Sequence, residues 1–155
     1  MAKEIERKFL VISDSWRPSA TGKLYCQGYI ATAVRGQSVR VRIAGDQGYL
    51  TIKGPTDGLS RAEFEYPIPI ADAKEMLDTL CVQPLIEKTR YRLPLGEVVW
   101  EIDEFKGENA GLIIAEVELA SESQSVALPD WVGAEVSGQA KYYNASLVRN
   151  PYSNW

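Results

Sequence analysis

"KEIERKFLV" (residues 3–11) sets a pattern that the rest of the chain repeats. Glu4, Glu6 and Lys8 occupy one parity; Ile5, Arg7 and Phe9 occupy the other. Successive side chains of a β-strand point to opposite faces. A strand here therefore lines up two carboxylates and an ammonium on one side. The same alternation returns later in the chain. "SVRVRIA" (38–44) sets Arg40 and Arg42 opposite Val39, Val41 and Ile43, and "YLTIKG" (49–54) sets Thr51 and Lys53 opposite Leu50 and Ile52. "RAEFEYPIPI" (61–70) sets Arg61, Glu63 and Glu65 opposite Ala62, Phe64 and Tyr66. "PLIEKTRYRLPL" (84–95) puts Lys88, Arg90 and Arg92 on one parity. "EVVWEIDEF" (97–105) pairs Glu101 with Asp103, and "GLIIAEVELA" (111–120) pairs Glu116 with Glu118.

With "KLYCQGYIAT" (23–32) these segments make about eight strands, mostly antiparallel. "ADAKEMLDTL" (71–80) carries Ala73, Met76, Leu77 and Leu80 at helical spacing and reads as an amphipathic helix. "SESQSVALP" (121–129) opens on a candidate N-cap, Ser121, and reads as a short helix. "GQAKYYNASLVRN" (138–150) reads as a final helix that ends before Pro151, and the polar stretch 13–22 reads as a loop or short helix. Many strands with two or three helices give an α+β protein built on a barrel or strongly curved sheet.

An antiparallel sheet with one solvated face also alternates. Such a face carries a mixture of Ser, Thr, Gln, Asn, Lys and Glu. Here the polar parity is almost entirely Arg, Lys, Glu or Asp, and the signs are segregated by strand. Segments 38–44, 49–54 and 84–95 carry cations, whereas 4–12, 97–105 and 111–120 carry mainly carboxylates. The alternative is a closed sheet with the charged parity inside. About eight strands enclose a lumen wide enough for side chains or one small ligand. A buried cationic half calls for a polyanion, and a carboxylate half for a hard divalent metal. A polyphosphate chelating Mg²⁺ satisfies both.

Composition narrows the chemistry. The 155 residues suggest a single domain spanning 1–155. A net charge of −4 argues against nucleic acid as the main partner. No apolar run is long enough to span a bilayer, and charge begins at Lys3 with no signal-peptide core, so no membrane partner and a cytoplasmic location are expected. Cys26 and Cys81 are read as reduced thiols. The absence of histidine removes Ser-His-Asp triads and His-based zinc sites. Catalysis would have to run on carboxylates, Lys, Arg and Tyr, with or without a metal.

The constellation resembles the CYTH family, the triphosphate tunnel metalloenzymes. Its N-terminal hallmark, Glu-x-Glu-x-Lys, stands here as Glu4-Ile5-Glu6-Arg7-Lys8. "RVR" (40–42), "TIK" (51–53), "RAEFE" (61–65), "EKTRY" (87–91), "EID" (101–103), "EVE" (116–118) and "KYYN" (141–144) follow in the family's order. The resemblance covers nearly the whole chain. It implies an eight-stranded antiparallel β-barrel, a tunnel with a charged lumen and helices packed outside. It also implies a triphosphate substrate and a divalent metal, Mg²⁺ or Mn²⁺, as two ions. On that basis Lys8, Arg40, Arg42, Lys53, Lys88, Arg90 and Lys141 would hold phosphate oxygens. Glu4, Glu6, Glu116 and Glu118 would hold metal, and Glu4 or Glu116 the attacking water. Glu63, Glu65, Glu101, Asp103 and Arg61 would orient the cations or assist the metals. Lys88 is the candidate for assisting the leaving phosphate, its pKa lowered by Arg90. For Arg61 and Arg92 an ordinary surface residue is an equal reading.

The chain is short, like the bacterial members that prefer inorganic triphosphate, so hydrolysis of tripolyphosphate to pyrophosphate and phosphate is the expected activity. Class IV-type adenylate cyclase and thiamine or nucleoside triphosphatase are the enzymatic alternatives. A non-catalytic polyphosphate- or nucleotide-binding module is the alternative of another class. The apolar parity and the tail "PYSNW" (151–155) make a homodimer a candidate state.

Overall fold

The computed structural model describes residues 3–32 and 36–155. Among the described residues nine strands form one sheet: β1 (Lys3–Val11), β2 (Thr21–Thr32), β3 (Ser38–Ala44), β4 (Gln47–Lys53), β5 (Ser60–Ile68), β6 (Ile86–Leu95), β7 (Val98–Phe105), β8 (Ile113–Glu118) and β9 (Val132–Glu135). The helices are α1 (Ile70–Thr79) and α2 (Asn144–Arg149). Hydrogen-bonded neighbours run β5-β4-β3-β2-β6-β7-β8-β1-β9, and β1 also pairs with β5. That last pairing, Lys3–Ile5 against Ser60–Ala62, closes eight strands into a barrel. Farther along, the same edge of β1 takes β9 through Phe9 and Val11. Two-residue turns join β3 to β4 at Gly45-Asp46 and β6 to β7 at Gly96-Glu97. Both glycines adopt φ of +62, which a hairpin turn with glycine first requires.

Strand order explains why the signs segregate. β4, β3, β2 and β6 are consecutive around the barrel and carry Lys53, Arg40, Arg42, Lys88 and Arg90. β7, β8 and β1 continue the circle and carry Glu101, Asp103, Glu116, Glu118, Glu4 and Glu6. One half-cylinder is cationic and the other acidic.

The apolar parity faces outward and is covered in two places. Phe9, Trp100, Ile102, Ala115 and Val117 pack under Trp16 and Trp131, which arrive from the segments flanking β1 and β9. Trp100 meets Phe9 at 5.7 Å and Trp131 edge-on at 5.3 Å between ring centroids. Helix α1 lays Ala73 and Leu77 on Val41 of β3. Its close approach is permitted by Gly48, where a Cβ would stand 3.0 Å from that of Ala73.

Four features differ from the sequence reading. Residues 121–129 form no helix: Gln124 turns back onto Ser121 and Ala120 by hydrogen bonds, and Val126 then packs against the Trp100 cluster. Residues 132–135 form β9, too short and glycine-bearing to show alternation. The final helix begins only at Asn144, after a 3-10 turn at Ala140–Tyr142. Nor does α2 lie on the outer wall. Its Leu147 and Val148 pack with Tyr29, Ile86, Phe105 and Ile114, residues of the inward parity of β2, β6, β7 and β8, so it plugs one end of the barrel. Among the described residues no helix is long and apolar enough to cross a membrane.

Trp100 is fully buried and its indole N–H has no hydrogen-bond partner. Trp100→Ala should cost about 3–5 kcal/mol of unfolding free energy, read by urea denaturation. Trp100→Phe should cost less, because it keeps most of the ring while removing the orphaned donor. Equal losses for both would contradict this account of the cluster.

Candidate active site

The charged parity of the barrel encloses a cavity of about 720 Å³. Lys8, Arg40, Arg42, Lys53, Lys88 and Arg90 all line it. So do Glu4, Glu6, Glu63, Glu65, Glu101, Glu116 and Glu118. Strand pairing sets the neighbours: Glu6 stands opposite Glu118, Lys8 opposite Glu116 and Glu101 opposite Glu116.

Most cations are held by carboxylates. Lys53 Nζ lies 3.1 Å from each oxygen of Glu4 and 3.2 Å from Glu63. Lys8 sits 3.5 Å from Glu116 and donates to the Tyr142 carbonyl at 3.4 Å. Arg90 grips Asp103 with two bonds of 2.7 and 2.8 Å and reaches Glu101 at 3.4 Å and Glu116 at 3.6 Å. Lys88, fully buried, donates to Asp103 at 2.8 Å and to Asn144 Oδ1 at 3.0 Å. Arg40 donates to Thr51 at 3.2 Å and lies 3.6 Å from Glu65, while its buried Nε has no partner. Arg42 donates to Gln27 Oε1 at 2.8 Å.

These contacts decide the protonation states. Burial would raise Glu116, but Lys8 and Arg90 overcome it and hold the carboxyl down at about 2. Burial also opposes ionisation of Asp103, yet Arg90 and Lys88 keep it far below the ordinary range. Glu6 goes the other way: burial, then Glu116 and Glu4, push it up to about 8. Glu4 and Glu118 are raised, each chiefly by burial. Burial lowers Lys88 to about 7, Asp103 opposing and Arg90 and Arg42 adding to the fall. A buried donor without a partner and clustered cations suit a polyanion. The all-oxygen donor set of the acidic wall suits a hard divalent cation. Among the described residues no three carboxylates already converge into a cation site.

Thus the structure brings together every proposed phosphate ligand except Lys141. That side chain is exposed, with its ammonium 4.0 Å from the Trp155 ring, and does not line the cavity. Arg61 lines it but spends its guanidinium on the carbonyls of Gly36 and Gly54, at 2.9–3.1 Å. Arg92 is exposed, and Asp103, buried on the inward parity beneath Lys88 and Arg90, holds both without lining the cavity. Sequence reasoning missed Tyr25, Gln27 and Tyr29, the inward parity of β2, and Asn144 of α2. The period-2 signal in "LYCQGY" (24–29) was available, but it is uncharged and therefore inconspicuous beside the other strands.

A model of the CYTH domain matches residues 2–152. An inorganic triphosphatase of Acetivibrio thermocellus is 51% identical over 155 residues, covering 100% of this chain and 99% of that protein. An inorganic triphosphatase of Nitrosomonas europaea is 37% identical over 153 residues, covering 94% and 96%. The crystal structure of an inorganic triphosphatase superposes with a TM-score of 0.68 at 32% identity, covering 96% of this chain and 95% of that one. A protein of Pyrococcus horikoshii shares the fold at 22% identity, with a TM-score of 0.62 over 77% of this chain and 79% of its own.

The raised Glu6 has a consequence for stability. Below about pH 4.5 the folded and unfolded chains both hold its proton; between there and about 8 only the folded chain does. Stability tied to Glu6 therefore falls as pH rises through that window. In chelator-treated protein, Glu6→Gln should raise the melting temperature little at pH 5 and by several degrees at pH 8. A pH-independent difference in thermal denaturation would refute the repulsion assigned to Glu6.

Proposed function

The chain belongs to the CYTH family, and from that premise we propose that it hydrolyses inorganic triphosphate to pyrophosphate and phosphate inside the barrel. The observation that carries the reading is the convergence of Lys8, Arg40, Arg42, Lys53, Lys88 and Arg90 on one cavity whose opposite wall is acidic. The named activity of relatives matched along nearly their full length supports it.

Arg40, Arg42 and Arg90 would fork onto phosphate oxygens, and Lys8 and Lys53 would follow the charge as flexible point donors. The unpartnered Nε of Arg40 gains an acceptor on binding. Glu4, Glu6, Glu116 and Glu118 would hold Mg²⁺ or Mn²⁺, in two ions shared with the phosphates. When bound, these ions neutralise phosphate charge and acidify a coordinated water. Glu116, anionic at neutral pH, can orient the hydrogens of the attacking water, with Glu4 on the neighbouring strand as the second candidate. Water oxygen would bond to the terminal phosphorus as the bridging P–O bond breaks, and the proton that the water loses would pass to bulk solvent. Lys88, buried beside Asp103 and lowered to about 7, can donate to the departing oxygen. Asp103, Glu63, Glu65 and Glu101 serve by holding the cations in place.

Inorganic triphosphate is favoured over a nucleotide or thiamine triphosphate by the aromatic groups of the cavity. Its rings are Tyr25, Tyr29 and Tyr143 among the described residues. Tyr25 faces Arg42 and Arg90, Tyr143 faces Lys8, and the Tyr29 hydroxyl accepts from Gln27. A base or thiazole ring therefore finds no uncommitted stacking partner.

The test is phosphate release from tripolyphosphate, ATP and thiamine triphosphate, with cyclic AMP formation from ATP, each with and without Mg²⁺ or Mn²⁺. Tripolyphosphate should be turned over fastest, and only with metal. Cyclic AMP formation without phosphate release would sink the proposal. Metal-dependent binding with no turnover would indicate a binding module. Glu116→Gln should lower kcat by about 10²-fold or more while retaining triphosphate binding. Arg40→Ala should weaken triphosphate binding roughly 10- to 100-fold by calorimetry. An unchanged kcat in the first, or unchanged affinity in the second, would remove that residue from its role.

A further inference from the structure

Arg42 differs from the other cations of the cavity. Lys8, Arg40, Lys53, Lys88 and Arg90 each lie within ion-pair distance of a carboxylate. Among the described residues Arg42 has none. It is buried, close enough to Arg40 and Arg90 to feel their repulsion, and is lowered to about 10 by burial and then by those two neighbours. Its contacts are the Gln27 carbonyl oxygen and the ring of Tyr25, whose centroid is 4.9 Å from the guanidinium carbon. The same ring stands 5.3 Å from the Arg90 guanidinium and 6.0 Å from the Lys88 ammonium. Strand register explains the convergence: Tyr25 pairs directly with Lys88, its neighbour Lys23 with Arg90, and Gln27 with Arg42. Three mutually repelling cations thus surround one aromatic side chain on the inward parity of β2.

We propose that Tyr25 is a positioning residue for triphosphate binding, a neutral aromatic counter-pole that holds Arg42, with Arg90 and Lys88, converged on the phosphate site. The inference rests on the reading of the cavity as a triphosphate site. A π face attracts a cation through its quadrupole without presenting a net anion. A carboxylate in the same place would hold Arg42 as well, but it would repel the incoming phosphate and would have to be displaced. Tyr25 avoids both penalties and leaves the forked donors of Arg42 in place before substrate arrives, which lowers the reorganisation required on binding. The ring, and not the hydroxyl, carries this role: the Tyr25 hydroxyl makes no side-chain hydrogen bond among the described residues.

The experiment is calorimetric binding of tripolyphosphate to full-length protein without divalent metal, with thermal unfolding measured alongside. Tyr25→Phe keeps the ring and should bind within about threefold of wild type. Tyr25→Leu removes it and should bind at least about tenfold more weakly, and Tyr25→Met provides a second non-aromatic variant should the leucine variant fail to fold. Steady-state kinetics with metal should show the loss chiefly in KM. Non-aromatic variants that fold and bind like wild type would overturn the role of Tyr25 while leaving the cavity reading intact. A Phe variant as weak as Leu would overturn it in favour of the hydroxyl. Where wild type binds too weakly without metal to measure, the KM ratios with metal decide the role of Tyr25 on the same thresholds; failure of wild type both to bind tripolyphosphate and to turn it over with metal would overturn both readings.

Discussion

The tunnel depends on one short seam. Lys3, Glu4 and Ile5 pair with Ala62, Arg61 and Ser60, and among the described residues this three-residue register is the ladder between β1 and β5. Without that pairing the sheet is open and its charged parity faces water, where alternation costs nothing. With it, carboxylates and cations from opposite strands face one another across a space of about 720 Å³. The seam is reinforced from outside. Glu122 accepts from the Leu59 amide at 2.9 Å and from the Ser60 hydroxyl at 3.2 Å, and the Glu6 amide donates to the Leu59 carbonyl. A segment that reads as a helix in the sequence therefore does its work as a bracket, tying the tunnel mouth to the outer apolar layer.

Closure makes the enclosed charges expensive, and the protein answers by pairing them in a way that can be exchanged. Glu4 holds Lys53, and Glu116 holds Lys8 and reaches Arg90. In the proposed reaction those carboxylates pass to the metal and those cations to the phosphates, so each partner leaves one opposite charge for another. Asp103 is different. It is fully buried beneath the cavity's cations, and its two oxygens are spent on Lys88 and Arg90 at 2.7–2.8 Å. Such a group is costly to break and fixes geometry, while the looser pairs at 3.1–3.6 Å are the ones a ligand can replace.

Legibility in the sequence followed chemistry. Charges placed every second residue on β1, β3, β4, β6, β7 and β8 disclosed both the strands and the inward face, because no ordinary solvated sheet segregates sign by strand. The barrel and the carboxylate and cation sets came from that pattern and from the family resemblance it carries. What stayed hidden was either neutral or set by distant contacts. Tyr25 and Gln27 bear no charge, so their part in holding Arg42 appears only when β2 is seen between β3 and β6. Val132–Glu135 is too short to alternate, and its Gly133 is required because a Cβ there would come within 2.5 Å of Ile12. Lys141 sits beside the plug in sequence, but the stacking of Trp155 on Tyr142 and Tyr152 holds its partner ring outside the barrel.

The plug gives the cavity a direction. Asn144, the first residue of α2, accepts from both Lys88 and Gln27, so the closed end of the barrel is joined to its most deeply buried cation. Side-chain exposure rises away from it: 0% at Lys88 and 8% at Arg40, against 35% at Glu101 and 40% at Glu65, with Glu118 also exposed. A ligand thus meets carboxylates before it reaches the cations. For a bare polyanion that order is repulsive at the rim, and the attraction inside is partly cancelled by Glu4 and Glu116. For a polyanion already carrying divalent cations the rim attracts, and each inner carboxylate finds a counter-charge as it gives up its lysine. In the proposed reaction that arrangement of charges would favour a metal-bearing triphosphate over either component arriving alone.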